Sequence, residues 1–178
     1  MSFTLAGNMR TLMIFAVVGL GLPVSFAAGP DDLPIQLSSS VPPQVLRAFE
    51  NDTAAKRYAF VAHLNPFYVH GDFNGDGRID TAVLIKALAT GKTGIAVVHA
   101  GATSVIILGA GRNFGNGGDD FRWMDAWHLY PRGPVKPGAD ETAPPKLRGD
   151  ALMVIKTGSA SALIFWNGKQ YAWYQQGD

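Results

Sequence analysis

The sequence predicts a mainly β (α+β) domain: an antiparallel sheet of roughly seven or eight strands with one or two short helices at its N-terminal end. Three observations carry this reading. Short apolar runs at 67–71, 79–88, 94–100, 104–108, 152–156, 162–166 and 170–175 are divided by turns bearing Gly, Asn, Thr and Ser. Those runs are rich in Val, Ile, Phe, Tyr and Trp, which suit a pleated, half-buried surface. Helical periodicity is confined to the stretch that opens at Pro42-Pro43 and closes at Asn65-Pro66.

The chain starts with Arg10 ahead of an uncharged run, 11–26, ending in Ser25-Phe26-Ala27. Small residues at the minus-three and minus-one positions predict a secretory signal peptide over 1–27, cleaved after Ala27. Met9 as the true start gives a tighter basic region. A single membrane anchor is the competing reading, since the run approaches spanning length. Gly19, Gly21 and Pro23 near its end favour cleavage and therefore no membrane span in the exported protein. The expected location is periplasmic or secreted. With no cysteine in the chain, a lipoprotein anchor, disulfides, zinc–thiolate sites and a thiol nucleophile are all excluded.

Cleavage leaves roughly 150 residues, one domain's worth and enough for a real core. Without Arg10 the remaining 14 Lys and Arg balance 14 Asp and Glu. That neutrality gives no reason to expect a nucleic acid or an anionic membrane surface as partner. A flexible Pro/Ser-rich lead over 28–40 precedes a single β-rich domain over 41–178.

Pro42-Pro43 opens a helix with Val45, Leu46 and Phe49 on one side. Asp52 or Thr53 caps an expected second helix whose apolar side is Tyr58, Val61 and Leu64. The strands follow. Gly101-Ala102-Thr103 and Thr157-Gly158-Ser159 are read as hairpin turns, and Asn167-Gly168 as a two-residue turn. The helices are expected to cover one face of the sheet.

Between the first and second half of the strands, 109–149 is read as a long irregular stretch rich in Gly and Pro. Residues 109–118 look like a phosphate cradle but lack dinucleotide spacing and a following helix, so a flexible surface loop is the better reading. Trp123 and Trp127 are expected to share one side of a short helix. Asp119, Asp120 and Asp125 are candidates for a second acidic site or for completing the one described next.

The segment 72–80, DFNGDGRID, sets Asp72, Asn74, Asp76 and Asp80 at loop positions one, three, five and nine, with Gly77 at six. The Arg78 carbonyl stands at position seven. Calcium takes six to eight oxygens at about 2.3–2.6 Å, so carboxylates, an amide oxygen and a backbone carbonyl suit it; Mg²⁺ prefers fewer protein ligands and more water. A glycine at six permits the positive φ that wraps the chain around an ion. The bland alternative is a polar, solvated Asp/Asn/Gly turn.

Position twelve, where a helix-flanked calcium loop carries a bidentate Glu, is Val83 inside the apolar run 81–85. With an Asp at position nine and a strand-like run after it, the segment 67–87, FYVHGDFNGDGRIDTAVLIKA, resembles the calcium loops of integrin-type FG-GAP and VCBS repeats. The resemblance implies Ca²⁺ as cofactor and Asp72, Asn74, Asp76, Arg78 (by its carbonyl) and Asp80 as ligands. One copy of the loop does not make a complete propeller, so the family's fold does not follow with its motif.

Other motifs are weaker. Gly91-Lys92-Thr93 has Lys86 where a phosphate loop requires glycine, and is read as a hairpin turn. Arg148-Gly149-Asp150 is read as a turn into a strand. His63, His70, His99 and His128 show no metal spacing. Tyr171 and Trp173 are expected on one strand face and Ala172 and Tyr174 on the other. Such a row either stacks on sugar rings or a partner, or closes the core beneath the N-terminal helices, the favoured reading.

The functional expectation is an exported non-catalytic calcium-binding domain, its ion stabilising a strand–loop–strand junction. The alternatives are an envelope binding module or inhibitor of a wall-active enzyme or toxin, with an envelope protein or glycan as partner, and a calcium-dependent hydrolase. No catalytic residue is nominated.

Overall fold

A computed structural model describes residues 37–138 and 143–177. The expected signal peptide lies outside them, as does the lead except for 37–40, which are helical. The fold is mainly β, but the strands divide into two antiparallel sheets rather than forming one. The first sheet holds β1 (Tyr58–Phe60), β2 (Tyr68–Gly71), β3 (Asp80–Ala87), β4 (Thr93–Val98) and β5 (Ile106–Gly109). In it β1 and β2 both pair with β3, and β3, β4 and β5 follow in order. The second is a meander of β6 (Ala126–Tyr130), β7 (Ala151–Lys156), β8 (Ala160–Trp166) and β9 (Tyr171–Gly177). Among the described residues the strands form neither a closed barrel nor a propeller.

Alternation along the strands builds three layers. Ala82, Leu84, Ile95, Val97 and Leu108 of the first sheet meet Trp127, Leu152, Val154, Ala162, Ile164 and Tyr171 of the second in the main core. The intervening residues of the first sheet, Val83, Ile85, Ala96, Val98 and Ile107, turn to the opposite face. There they pack on Val45, Ala48 and Phe49 of helix α1 (Pro43–Asn51). Both faces of β3 are therefore covered, which is why 81–85 reads as an unbroken apolar run and why each of those residues is buried.

Helix α1 forms where Pro42-Pro43 predicts it. Proline suits the first helical turn because its missing N–H has no intrahelical acceptor there. Its far end is fixed by Asp52, whose Oδ1 accepts from Ala54 N at 2.8 Å and whose Oδ2 accepts from Val105 N at 2.9 Å. The helix is thus pinned to the segment entering β5.

Four expectations are corrected. The second helix does not form: after a 3₁₀ turn at Ala55–Arg57, Tyr58–Phe60 becomes β1 and pairs antiparallel with Ile85–Ala87 of β3. Pairing with an available strand outweighs the helical spacing of Tyr58, Val61 and Leu64. The stretch 109–149 is not irregular throughout, because it contains β6, the partner of β7. Trp123 and Trp127 share no helix; Trp123 ends a 3₁₀ turn and Trp127 lies in β6. The β8–β9 connection spans four residues, since Trp166 pairs with Tyr171, and Asn167 Oδ1 accepts from Lys169 N and Gln170 N.

The C-terminal aromatics do belong to the core, with a change of neighbours. Tyr171 is buried between the two sheets and Trp173 packs on the same cluster, while Tyr174 enters a smaller cluster behind the second sheet. None of them lies under α1, which covers the other face of the first sheet.

Candidate metal loop

Strands β2 and β3 pair with Gly71 opposite Asp80, so 72–79 is the connection of a hairpin. Phe73, the second residue of the loop, is fully buried in the core between the sheets. Burying a Phe side chain contributes about 1.5–3 kcal/mol, and this one fastens the loop to the domain. Gly75 and Gly77 have φ of +78° and +81°, so the chain coils back on itself.

That coil closes around Asp72. Its Oδ1 accepts from Gly75 N at 2.8 Å and Asp76 N at 3.0 Å, and its Oδ2 accepts from Gly77 N at 2.9 Å. Asn74 Oδ1 also accepts from Asp76 N at 3.0 Å, and Asn74 Nδ2 donates to Asp76 Oδ2 at 3.1 Å. Asp76 Oδ1 accepts from Arg78 N at 2.9 Å. The side chains at positions one, three and five are thus gathered on the same few backbone amides. Hydrogen bonds from Asn74 and then from Arg78 N–H hold the Asp76 carboxyl below the usual carboxylate range.

Asp80 plays a different part. It is fully buried, and its Oδ2 accepts from Phe73 N at 3.0 Å and Asn74 N at 3.3 Å while Oδ1 accepts from Ala100 N at 2.8 Å. It joins the loop entrance to the segment after β4. Burial pushes its carboxyl up, against the opposing pull of those amides and led among them by Ala100. Nearby, His99 Nε2 lies 2.8 Å from the Tyr171 hydroxyl, and burial followed by the Asp80 charge pushes that phenol up, keeping it protonated.

A second clamp was not foreseen from the sequence. Asp150 Oδ2 accepts from Asp72 N at 3.0 Å, Asp150 N donates to Asp72 O at 2.7 Å, and Asp150 Oδ1 accepts from Arg132 N at 2.8 Å. Next to it, a Cβ on Gly149 would stand 2.1 Å from Asp72 O and 2.6 Å from Gly75 N. Arg148-Gly149-Asp150 is the brace of the loop, and Gly149 is glycine because two backbones meet there. No local pattern in the sequence announces this contact.

The remaining candidates are dispersed. Asp119 pairs with Lys92, Asp120 accepts from Thr93 N and Oγ1 and from Arg122 N, and Asp125 accepts from Thr157 N and Oγ1. None of the three joins the 72–80 loop. Gly91-Lys92-Thr93 closes the β3–β4 turn and opens β4, clipped by Asp119 and Asp120. Residues 109–118 are held by their own backbone bonds and pack on Trp173 rather than framing a phosphate site. His70 Nδ1 lies 3.0 Å from Thr81 Oγ1, and His128 Nδ1 lies 2.9 Å from Leu129 O.

Among the described residues, no three Asp, Glu, His or Cys side chains are already grouped to hold a metal ion. The chemistry of the loop still suits a hard cation: its donors are carboxylate and amide oxygens, closely gathered, around a turn with two positive-φ glycines. Asp72 and Asp80 each accept three N–H bonds, and a carboxylate offers about four acceptor sites, so each retains capacity for an ion. Among the described residues, no helix is long and apolar enough to cross a membrane.

No protein family, curated protein or solved structure matches this chain. What the chain does therefore rests on its own residues.

Proposed function

We propose that the protein is an exported, non-catalytic calcium-binding domain whose ion stabilises the β2–loop–β3 junction. The observation that supports this best is the Asp72 carboxylate, held at the centre of a coil formed by the amides of Gly75, Asp76 and Gly77. Asp72, Asn74 and Asp76 supply side-chain oxygens, Arg78 its carbonyl, and Asp80 closes the set from the buried side. Two of the three carboxylates are exposed to solvent or half so, and their mutual repulsion falls when a divalent cation arrives. Outside the cytoplasm calcium is abundant enough to fill a loop of modest affinity.

Binding stabilises the fold by mass action, about 1.4 kcal/mol at ten times the dissociation constant. The test is the melting temperature in EDTA and in millimolar CaCl₂, for the wild type and for Asp76→Ala. Asp76 is exposed and reaches only loop atoms, so its removal leaves the core intact. The expected result is a calcium-dependent rise in the wild type that the variant lacks. Equal melting in both media, with no heat of binding by calorimetry, refutes the proposal.

A further inference from the structure

The end of the second sheet away from the metal loop, where β7 turns into β8, carries an aromatic cleft that the calcium reading does not use. A depression of about 420 Å³ is lined by Trp123, Trp173, Asn116, Lys156, Ser159 and Gln175, among others. It lies in the size range of small-ligand sites. The two indoles stand edge to face, with centroids 6.1 Å apart and planes at 73°.

Both indole N–H groups are already satisfied inside the protein: Trp123 Nε1 donates to Gly117 O at 2.9 Å, and Trp173 Nε1 donates to Gln175 Oε1 at 2.9 Å. The rings therefore offer the cleft apolar π surface rather than a donor. They are also fixed in advance. Gly115 and Gly117 press on Trp173 so closely that a Cβ on either would lie 2.4 and 2.8 Å from ring or Cβ atoms. Gln175 is buried, and its Nε2 is held by Gly177 O at 2.8 Å. A ligand meeting such a platform need not immobilise it.

The rim is polar and mixed. Asn116 brings a donor and an acceptor, Ser159 a hydroxyl and Lys156 a donor, all exposed, and among the described residues no carboxylate lines the cleft. A second depression of about 290 Å³ adjoins the first and shares Lys156, Ser159 and Ala160, so the groove continues past the β7–β8 turn.

The geometry points to this groove as a binding site for a neutral oligosaccharide, with a pyranose ring against Trp123 and Trp173 and the next sugar toward Ser159. A pyranose has the matching chemistry: a C–H face for the π surface and hydroxyls, each donor and acceptor, around its edge. The exposed Asn116, Lys156 and Ser159 groups can exchange water for a ligand's hydroxyls, which a purely apolar ligand does not offer. The site shares no residue with the metal loop, so its success or failure is independent of the calcium proposal.

The test is titration of the purified protein with cellotetraose and with chitotetraose, followed by tryptophan emission and by calorimetry, in CaCl₂ and again in EDTA. Saturable binding with a change in tryptophan emission is expected for at least one sugar. Trp123→Ala should weaken it about tenfold, the equivalent of about 1.4 kcal/mol. Because Trp123 also packs on the core, Ser159→Tyr serves as a second variant: Ser159 is exposed, and a tyrosine there blocks the groove from its rim. Binding lost in Ser159→Tyr at an unchanged melting temperature supports the site. No saturable signal with either sugar, or binding that survives both substitutions, overturns it.

Discussion

Asp150 and Asp72 exchange two hydrogen bonds across a separation of 78 residues, Asp150 N to Asp72 O at 2.7 Å and Asp72 N to Asp150 Oδ2 at 3.0 Å. The residue that opens the loop is thereby tied to the residue that leads into β7, so loop and second sheet are mechanically one unit. Asp150→Ala removes the acceptor for both Asp72 N and Arg132 N. Bonds to a charged acceptor are worth about 1.5–3 kcal/mol when buried, and this carboxylate is half exposed. The expected loss is about 1–2 kcal/mol in urea unfolding. Calcium affinity should fall with it, and a variant with unchanged stability would show that the clamp is idle.

Two glycines of the same region should fail for different reasons. Gly149→Ala places a Cβ against the backbone at Asp72 O and Gly75 N, where nothing flexible can yield. Overpacking of this kind costs about 1–3 kcal/mol. A Cβ at Gly77 meets nothing, so Gly77→Ala costs only the positive φ, about 1–2 kcal/mol, and Gly77→Asn should recover part of it. Denaturant unfolding of these three variants and of Gly149→Asn checks the pattern. Recovery in Asn at 77 but not in Asn at 149 is the signature expected.

The 72–80 loop, as the connection of two strands, and most strands were legible because their signals are local. Spacing at 72–80 is contained in nine residues, and the run at 81–85 betrays a strand covered on both faces. What failed was short or long-range. Over Tyr58–Phe60, three residues cannot separate a period of two from one of 3.6, and the pairing with β3 decides. Strand β6, Ala126–Tyr130, is hidden by the Gly- and Pro-rich residues around it and is specified by β7. The division into two sheets, and the arrival of Gly149 and Asp150 at Asp72, depend on how distant segments pack. The aromatic alternation at Tyr171 and Trp173 was readable, but not that Trp123 would join Trp173.

Asp80 anchors the fold whether or not metal is bound. Asp80→Ala leaves the amides of Phe73, Asn74 and Ala100 without their acceptor, and an unsatisfied buried donor costs about 1–3 kcal/mol. The variant should therefore be destabilised by about 3 kcal/mol or more even in EDTA. Asp76→Ala, in contrast, should change little in EDTA and lose only the calcium response. If Asp80→Ala unfolds like the wild type in EDTA, the carboxylate has no structural part and acts on metal alone.

Acid stability offers a separate check, away from the loop. Asp52 is held below its ordinary value chiefly by Val105 N–H, and Asp125 by Thr157 N–H and then by the Thr157 hydroxyl. A carboxyl whose folded pKa is depressed contributes stability that is fully present above its unfolded value, about 3.9, and is lost as pH falls through the folded one. Asp125→Asn keeps the single oxygen that accepts from Thr157, Asp52→Asn keeps one of the two accepting oxygens, and in both the titration is gone. The double variant should be less stable than the wild type near pH 7. Its stability should also fall less steeply below about pH 4, so that the two unfolding curves converge in acid. Parallel curves down to the acid transition would show that neither carboxylate contributes through its charge.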